Sequence, residues 1–391
     1  MATVTRIRAT RRWAMLALGV FAQTASAVMV NGMPFLLPAL TDRGMPLATA
    51  GLLVAMPMVG MVCTLIAWGY AVDRFGERIV LAAGPAVMCV TGVAAAMVTN
   101  YVLLGFLLLL AGTGAASTNG ASGRVIAGWF PADQRGLAMG IRQTAQPLGV
   151  GIAAMAIPAV AHAAGFSTAI LVPATMAGLA VVGCLAGIID PPRPPRGENH
   201  SDNPYRGDTT LWRIHGVSVL LVVPQATLWT FALLWLHRDG GLGLWQAGLI
   251  VTATQFLGAA GRIGAGIWSD RVGSRVRPLH TVAIAALVSM AALAGAAWTH
   301  WWWAAIPILF AASVITVADN GLAFTAVAEL AGPYWSGRGL GIQNTGQHLA
   351  TAAVPPVFGA LITAAGYPAA FAVAAVIAAV AIPLVPLRTA R

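Results

Sequence analysis

The chain has 391 residues, of which 58% are hydrophobic and only 9% charged, with a mean hydropathy of +0.79 and a net charge of +10. So few charges cannot cover the surface of a water-soluble protein of this size; a soluble globular class is excluded, and a lipid bilayer is the solvent that fits. All 22 basic residues are arginines, spread thinly between apolar runs and not gathered into a basic domain, which argues against nucleic acid as a partner.

A membrane-crossing helix needs about 20 apolar residues. Twelve such runs follow in order: 13–36, 46–69, 79–98, 102–127, 137–160, 167–188, 214–236, 245–268, 279–298, 302–328, 338–363 and 368–387. The first imitates a secretory leader, because Arg6, Arg8, Arg11 and Arg12 precede it and Ala25-Ser26-Ala27 resembles a cleavage site. Its apolar character continues to Leu40, too far for a leader, so it is expected to be retained as a span. Between the sixth and seventh runs lies the one long polar stretch, 190–213, with Pro-Pro-Arg-Pro-Pro-Arg and Gly-Glu-Asn-His-Ser-Asp-Asn-Pro. It cannot bury a core and reads as a linker between bundles 1–189 and 214–391. The cysteines Cys63, Cys89 and Cys184 all fall in apolar runs, so neither a disulfide nor a zinc site is expected.

Arginine placement sets the expected orientation. With the N-terminus in the cytoplasm, seventeen arginines, among them Arg6, Arg193, Arg196, Arg388 and Arg391, fall in cytoplasmic segments, and only Arg43 and Arg238 fall outside. An even number of spans then returns the C-terminus to the cytoplasm. Trp298, Trp301, Trp302 and Trp303 gather at one outer boundary, where interfacial anchoring is the expected role. The other three arginines, Arg124, Arg142 and Arg262, lie inside spans.

The two halves repeat. Asp73-Arg74-Phe75-Gly76-Glu77-Arg78 after span 2 is matched 197 positions later by Asp270-Arg271-Val272-Gly273-Ser274-Arg275 after span 8. Asn119-Gly120 matches Asn320-Gly321, and the run from Gly140 to Gln146 matches Gly341 to Gln347, both at a spacing of 201. Spans 3, 6, 9 and 12 hold almost nothing polar. The others carry Gln23, Asn119, Arg142, Gln143, Gln146, Gln225, Gln255, Arg262, Asp319, Asn320, Gln343, Asn344, Gln347 and His348. Polar groups in hydrocarbon must face a bundle interior or a wet cavity. Every third helix is therefore expected to face lipid while the rest enclose a polar layer near mid-membrane. At about 1.5 Å per residue, Arg142 and Arg262 lie roughly 8–10 Å inside the cytoplasmic edge.

These features resemble the major facilitator superfamily of secondary transporters, across essentially the whole chain. The turn after span 2 is similar to that superfamily's Gly-x-x-x-Asp-Arg-x-Gly-x-Arg signature, with Asp73, Arg74, Gly76 and Arg78 matching; Asp270, Arg271, Gly273 and Arg275 supply the second copy. Trp129-Phe130-Pro131 with Arg135-Gly136 resembles its loop 4–5 pattern. The resemblance implies an all-α fold of twelve transmembrane helices in two pseudo-symmetric six-helix bundles, working by alternating access. It also implies a cytoplasmic latch built on the two Asp-Arg turns; anchoring of the loops in water is the plain alternative. Span 8, with Gly261-Arg262-x-Gly264-x-Gly266, is similar to oxalate/formate-type and nitrate/nitrite-type anion porters, which implies an anion contact for Arg262. The nitrate porters' second arginine is replaced here by Leu65, and the arginine that drug/proton antiporters carry early in span 4 is absent.

The expected function is secondary active transport of a small organic anion across the cytoplasmic membrane. Arg262 and Arg142 would supply positive charge, with Gln23, Asn119, Gln143, Gln146, Gln225, Asn320, Gln343 and Gln347 lining the cavity; hydrogen bonding between helices is the alternative for these amides, and both roles can hold together. Asp319 and His348 are candidate proton carriers; a fixed ion pair for Asp319 and a packing role for His348 are the alternatives. For Arg142 and Arg262 the alternative is an ion pair or reach to the interface, and for Arg124 reach to the interface is expected. Efflux of amphipathic compounds is the competing transport function, and a non-transporting sensor or scaffold the competing class. No phosphate-cradling loop, metal-ligand spacing or nucleophile elbow is found, so no cofactor, metal or enzymatic activity is expected. A monomer is expected, partnered by the bilayer, its small-molecule substrate, and a proton or exchanged anion.

Overall fold

A computed structural model describes residues 8–45, 47–192, 203–206 and 208–387. Arg6, Arg193, Arg196, Arg388 and Arg391, and much of the 190–213 stretch, lie outside the described residues.

Among the described residues the regular structure is helical, with no strand. In chain order the helices are α1 (Ala9–Gly32), α2 (Leu37–Thr41), α3 (Leu47–Phe75), α4 (Glu77–Met97), α5 (Tyr101–Ala115), α6 (Ser117–Trp129) and α7 (Arg135–Arg142). They continue with α8 (Ala145–Ala164), α9 (Phe166–Gly187), α10 (Thr210–Arg238), α11 (Leu244–Val272), α12 (Val276–Trp298), α13 (Trp302–Ala331) and α14 (Ser336–Ala381). Hydrocarbon offers backbone groups no partners, so each crossing segment must satisfy its own N–H and C=O groups, which a helix does. Prolines inside helices, such as Pro57, Pro85, Pro224 and Pro307, are the exceptions such helices tolerate.

Ten stretches of the described residues are long and apolar enough to cross a membrane. One of them, Ser336–Leu384, is two helices run together across Gly366, whose φ is 79°. The 29-residue α11 is not among the ten, its apolar character lowered by Gln246, Gln255 and Arg262. With α11 and the break at Gly366, the helices have room for the twelve expected crossings; by length and apolarity alone the count is ten. Two expected spans are interrupted. The fourth breaks at Ala116 between α5 and α6, and the fifth breaks at Gln143–Thr144, directly after Arg142.

The chain divides into two compact units. The first comprises Met1–Phe130, Thr144–Ser201 and Ala331–Asn344. One of its cores gathers Val28, Leu53, Leu104, Ile157 and Ile170; another joins Met15, Val72, Leu81, Val125 and Cys184. Asn100 caps α5 by accepting from the N–H groups of Val102 and Leu103 at 2.9 and 3.1 Å. The second unit comprises Pro131–Gln143, Asp202–Leu330 and Thr345–Arg391. Its largest core packs Trp235, Met290, Leu309, Val354 and Phe371. Of the tryptophans expected at the outer boundary, Trp298, Trp301 and Trp303 are exposed, whereas Trp302 turns inward to Trp235, ring centroids 5.1 Å apart. The expected lipid-facing helices expose large apolar side chains, such as Val90 and Met97 on α4, Leu179 and Val182 on α9, and Val288 on α12.

Candidate functional site

Both Asp-Arg turns build clasps onto the start of a helix. In the first unit the Asp73 carboxylate is buried. It accepts from the backbone N–H groups of Gly337 (2.9 Å) and Arg338 (3.0 Å), from Arg338 Nε (2.9 Å) and from Arg124 Nη1 (2.6 Å). Gly337 and Arg338 open α14, so a carboxylate meets the positive end of a helix dipole and its unpaired N–H groups. In the second unit Asp270 repeats the arrangement at the start of α7, accepting from Gly136 N–H (2.9 Å) and Leu137 N–H (2.8 Å), with Arg275 Nη1 at 2.5 Å. Arg275 also reaches Glu329 (3.2 Å) and Ser269 (2.6 Å).

The backbones come close because glycines face each other. A Cβ on Gly69 would strike the Gly337 carbonyl, and one on Gly266 would strike that of Gly136. Gly76 and Gly273, at φ 97° and 65°, turn the chain through a backbone region that glycine alone enters freely, which frees the aspartate three residues earlier to point across.

Of the remaining residues expected in the latch, Arg74 is exposed beside Tyr70 and Phe75, and Arg271 is exposed. Arg78 donates to the Leu185 carbonyl from Nε (3.0 Å) and Nη2 (2.6 Å), while its backbone N–H donates to Asp190 (2.7 Å). These three therefore stand outside the clasps. Arg124 corrects the expectation of reach to the interface. It is only 3% exposed and ion-paired to Asp73 and Glu77, because the acids it needs are buried next to it. Sequence reasoning did not find Glu77, Glu329, Gly337 or Arg338 as clasp residues. The findable signal was the spacing: Gly136 and Gly337 are 201 apart, the period of the other repeats.

The polar residues of the second unit fall into two groups. Asn320 Nδ2 donates to Gln225 Oε1 (2.8 Å), and Gln347 Nε2 donates to both Asn320 Oδ1 (2.9 Å) and Ser218 Oγ (2.6 Å). These buried amides bind one another, as helix–helix packing in lipid favours. Replacing Gln347 with Met is expected to lower stability by about 1–3 kcal/mol, because Asn320 is left half satisfied; the check is the melting temperature of the purified variant.

The second group is charged. Arg142 is wholly buried at the end of α7, its guanidinium 5.6 Å from the centre of the Phe324 ring and donating to Gln143 Oε1 at 3.0 Å. Arg262, 4% exposed on α11, donates to the Gln143 carbonyl at 2.7 Å and lies 5.7 Å from the Trp229 ring; its buried Nε has no hydrogen-bond partner among the described residues. One residue, Gln143, thus takes a bond from each guanidinium. Asp319 on α13 is completely buried and feels the charge of Arg262, yet among the described residues neither of its oxygens meets a hydrogen-bond donor of normal geometry and no cation is in ion-pair contact with it. His348 is half-buried on α14.

In the first unit Ser122 donates to Gln23 Oε1 (3.3 Å), Thr118 donates to Ser26 (3.1 Å), and Asn119 reaches the Met61 sulfur at 3.9 Å. Gln343 and Asn344 are buried, Asn344 bonding back to the Leu340 carbonyl at 2.7 Å. Gln146 is half-buried and makes no hydrogen bond to a described residue.

Residues 16–355 match the family model described as Major Facilitator Superfamily. A protein of Mycobacterium tuberculosis (strain ATCC 25618 / H37Rv), described as an uncharacterized MFS-type transporter, is 48% identical over 386 residues, covering 96% of this chain and 85% of its own length. The proton:xylose symporter XylE, solved with 6-bromo-6-deoxy-D-glucose, is similar with a TM-score of 0.78 at 15% identity over 96% of this chain and 95% of its own. The Escherichia coli fucose:proton symporter FucP has a TM-score of 0.73 at 17% identity, covering 95% of this chain and 98% of its own. The human organic anion transporter MFSD10 has 0.73 at 16% identity, covering 97% of this chain and all of its own. At these identities the three solved structures establish the fold alone. Family match, relative and fold agree, and the chain belongs to the Major Facilitator Superfamily as a multi-pass membrane transporter, not an enzyme.

Proposed function

We propose that this transporter carries a small organic anion together with a proton by alternating access. The observation that carries the reading is the charged group on Gln143: two buried arginines bonded to one residue, with the buried carboxylate of Asp319 in the field of Arg262. Two arginines and one ionised aspartate leave a net charge of +1, which a monoanion neutralises. Protonation of Asp319 removes its hold on Arg262 and strengthens anion binding, so affinity rises as the pH falls. Two charges in hydrocarbon are costly unless they serve a site, at about 2.5–3.5 kcal/mol each near a helix centre.

The bodies that rock in this reading are the sequence halves, 1–189 and 214–391, joined by 190–213, with both termini and the two clasps on the cytoplasmic side. Gln143 positions the arginines. His348, in the same unit as the arginines, is a second proton carrier. Efflux of amphipathic compounds is the second reading, favoured by the Trp229 and Phe324 rings beside the arginines.

Uptake into proteoliposomes tests both, with mono- and dicarboxylates of two to six carbons against amphipathic cations. The expected result is saturable carboxylate uptake driven by an inward proton gradient. Asp319→Asn should lose gradient-driven accumulation while keeping anion exchange. Uptake of amphipathic cations alone would replace the first reading with the second.

A further inference from the structure

We propose that Glu77 is a positioning residue of the first clasp, and that it makes this clasp an electrostatic inverse of the second. The Glu77 side chain is fully buried at the first turn of α4, where an ionised carboxylate is costly unless a cation is in contact. That cation is Arg124: its Nε binds Glu77 at 2.8 Å while its Nη1 binds Asp73 at 2.6 Å. Arg124 thus stands between two acids, and Asp73 turns its other oxygen to Arg338. The first clasp holds two carboxylates, two guanidiniums and the N-terminus of α14.

The second clasp holds the same inventory with the parts exchanged. Its bridging arginine, Arg275, stands between Asp270 and Glu329, and Arg135 joins Glu329 at 3.4 Å. In the second clasp the arginine comes from the turn after Asp270 and the acid from the end of α13. In the first, the acid comes from the turn after Asp73 and the arginine from α6. At the repeat spacing of 197, Glu77 corresponds to Ser274, next to Arg275. Among the described residues each clasp pairs two acids with two arginines, so each opens and closes with its charges balanced. Glu77 achieves this in the first clasp by keeping Arg124 on two acids at once. Without Glu77, Arg124 turns wholly to Asp73, competes with Arg338 and the α14 N–H groups for its oxygens, and leaves an unbalanced buried charge.

The test is charge inversion. A single cysteine replaces Ser336, which is 2% exposed beside Gly337, in a background with Cys63, Cys89 and Cys184 changed to alanine. Maleimide labelling of this cysteine in membranes reports clasp opening. Glu77→Gln should raise the labelling rate about tenfold or more, since one partner of a buried pair is gone. Glu77→Arg combined with Arg124→Glu gives the first clasp the polarity of the second, and should return labelling to within about twofold of the parent and restore transport. Glu77→Gln labelling at the parental rate, or a swapped variant as open as the single variants, overturns the proposal. If Glu77→Gln fails to fold, the swapped variant alone decides, because a purely steric role for Glu77 predicts no rescue.

Discussion

Asp73→Asn opens the first clasp. The carboxylate meets Arg124, Arg338 and two N–H groups at the start of α14, all at 3.0 Å or less. An amide keeps the volume but removes the charge and one acceptor oxygen. Arg124 keeps Glu77, but Arg338 loses the one acid it meets among the described residues; parting this largely buried pair costs about 3 kcal/mol, the low end for buried pairs, and losing an anion at a helix N-terminus adds about 0.3–1 kcal/mol. Because the alternative to the clasped arrangement is an open state, most of this cost falls on the balance between states. The open population should rise by about two orders of magnitude, since 1.4 kcal/mol corresponds to about tenfold. Spin labels at the exposed positions Phe75 and Pro333, both in the first unit, read this directly: the short distance of the parent should give way to a longer, broader distribution. Asp270→Asn should act in the same sense with a smaller effect, because Glu329 still holds Arg275, whereas Asp73→Asn leaves Arg338 with no acid among the described residues. An unchanged distance distribution in Asp73→Asn would return the turn to a simple anchor in water.

Arg142→Leu separates function from stability. A guanidinium with no exposed surface, set against a ring and a glutamine side chain, is an expensive way to fill space. Replacing buried charge with a packed apolar residue of similar size is often neutral or stabilising, by about 1–4 kcal/mol. The variant should therefore melt at the parental temperature or above it, while kcat/KM for the transported anion falls by about a hundredfold, the loss of a charge-assisted contact of about 2–3 kcal/mol. A variant that loses stability but keeps its transport rate would make Arg142 a structural residue.

Much of the fold was legible because lipid imposes it. Runs of about 20 apolar residues have one solution in hydrocarbon, and the repeats at 197 and 201 announced two related halves. The Asp-x-x-Gly turns were legible because the positive φ at Gly76 and Gly273 demands glycine. What the aspartates would meet was not. Asp73 finds Arg338 across 265 residues, and nothing in the local pattern of span 11 singles out its first two N–H groups. Arg124 was read as reaching the interface because its depth was visible and its partner Glu77 was not. Gln225, Asn320 and Gln347 were read with the other amides as cavity lining, with hydrogen bonding between helices as a compatible alternative, and they do bond to one another; composition counts polar groups but not which are already satisfied. The break at Gln143 was equally hidden. It follows the second of the three in-span arginines and presents both a carbonyl and an amide oxygen to guanidiniums.

The account rests on Arg142 and Arg262 holding an anion, and ligand-dependent melting of the purified protein tests that most directly. A ligand that binds only the folded state raises the melting temperature by mass action, worth about 2.7 kcal/mol at a hundred times its Kd. The account predicts that a small carboxylate stabilises the parent, more strongly at lower pH, and leaves Arg262→Gln unmoved. Stabilisation of parent and Arg262→Gln to the same degree, or by amphipathic cations alone, would contradict it.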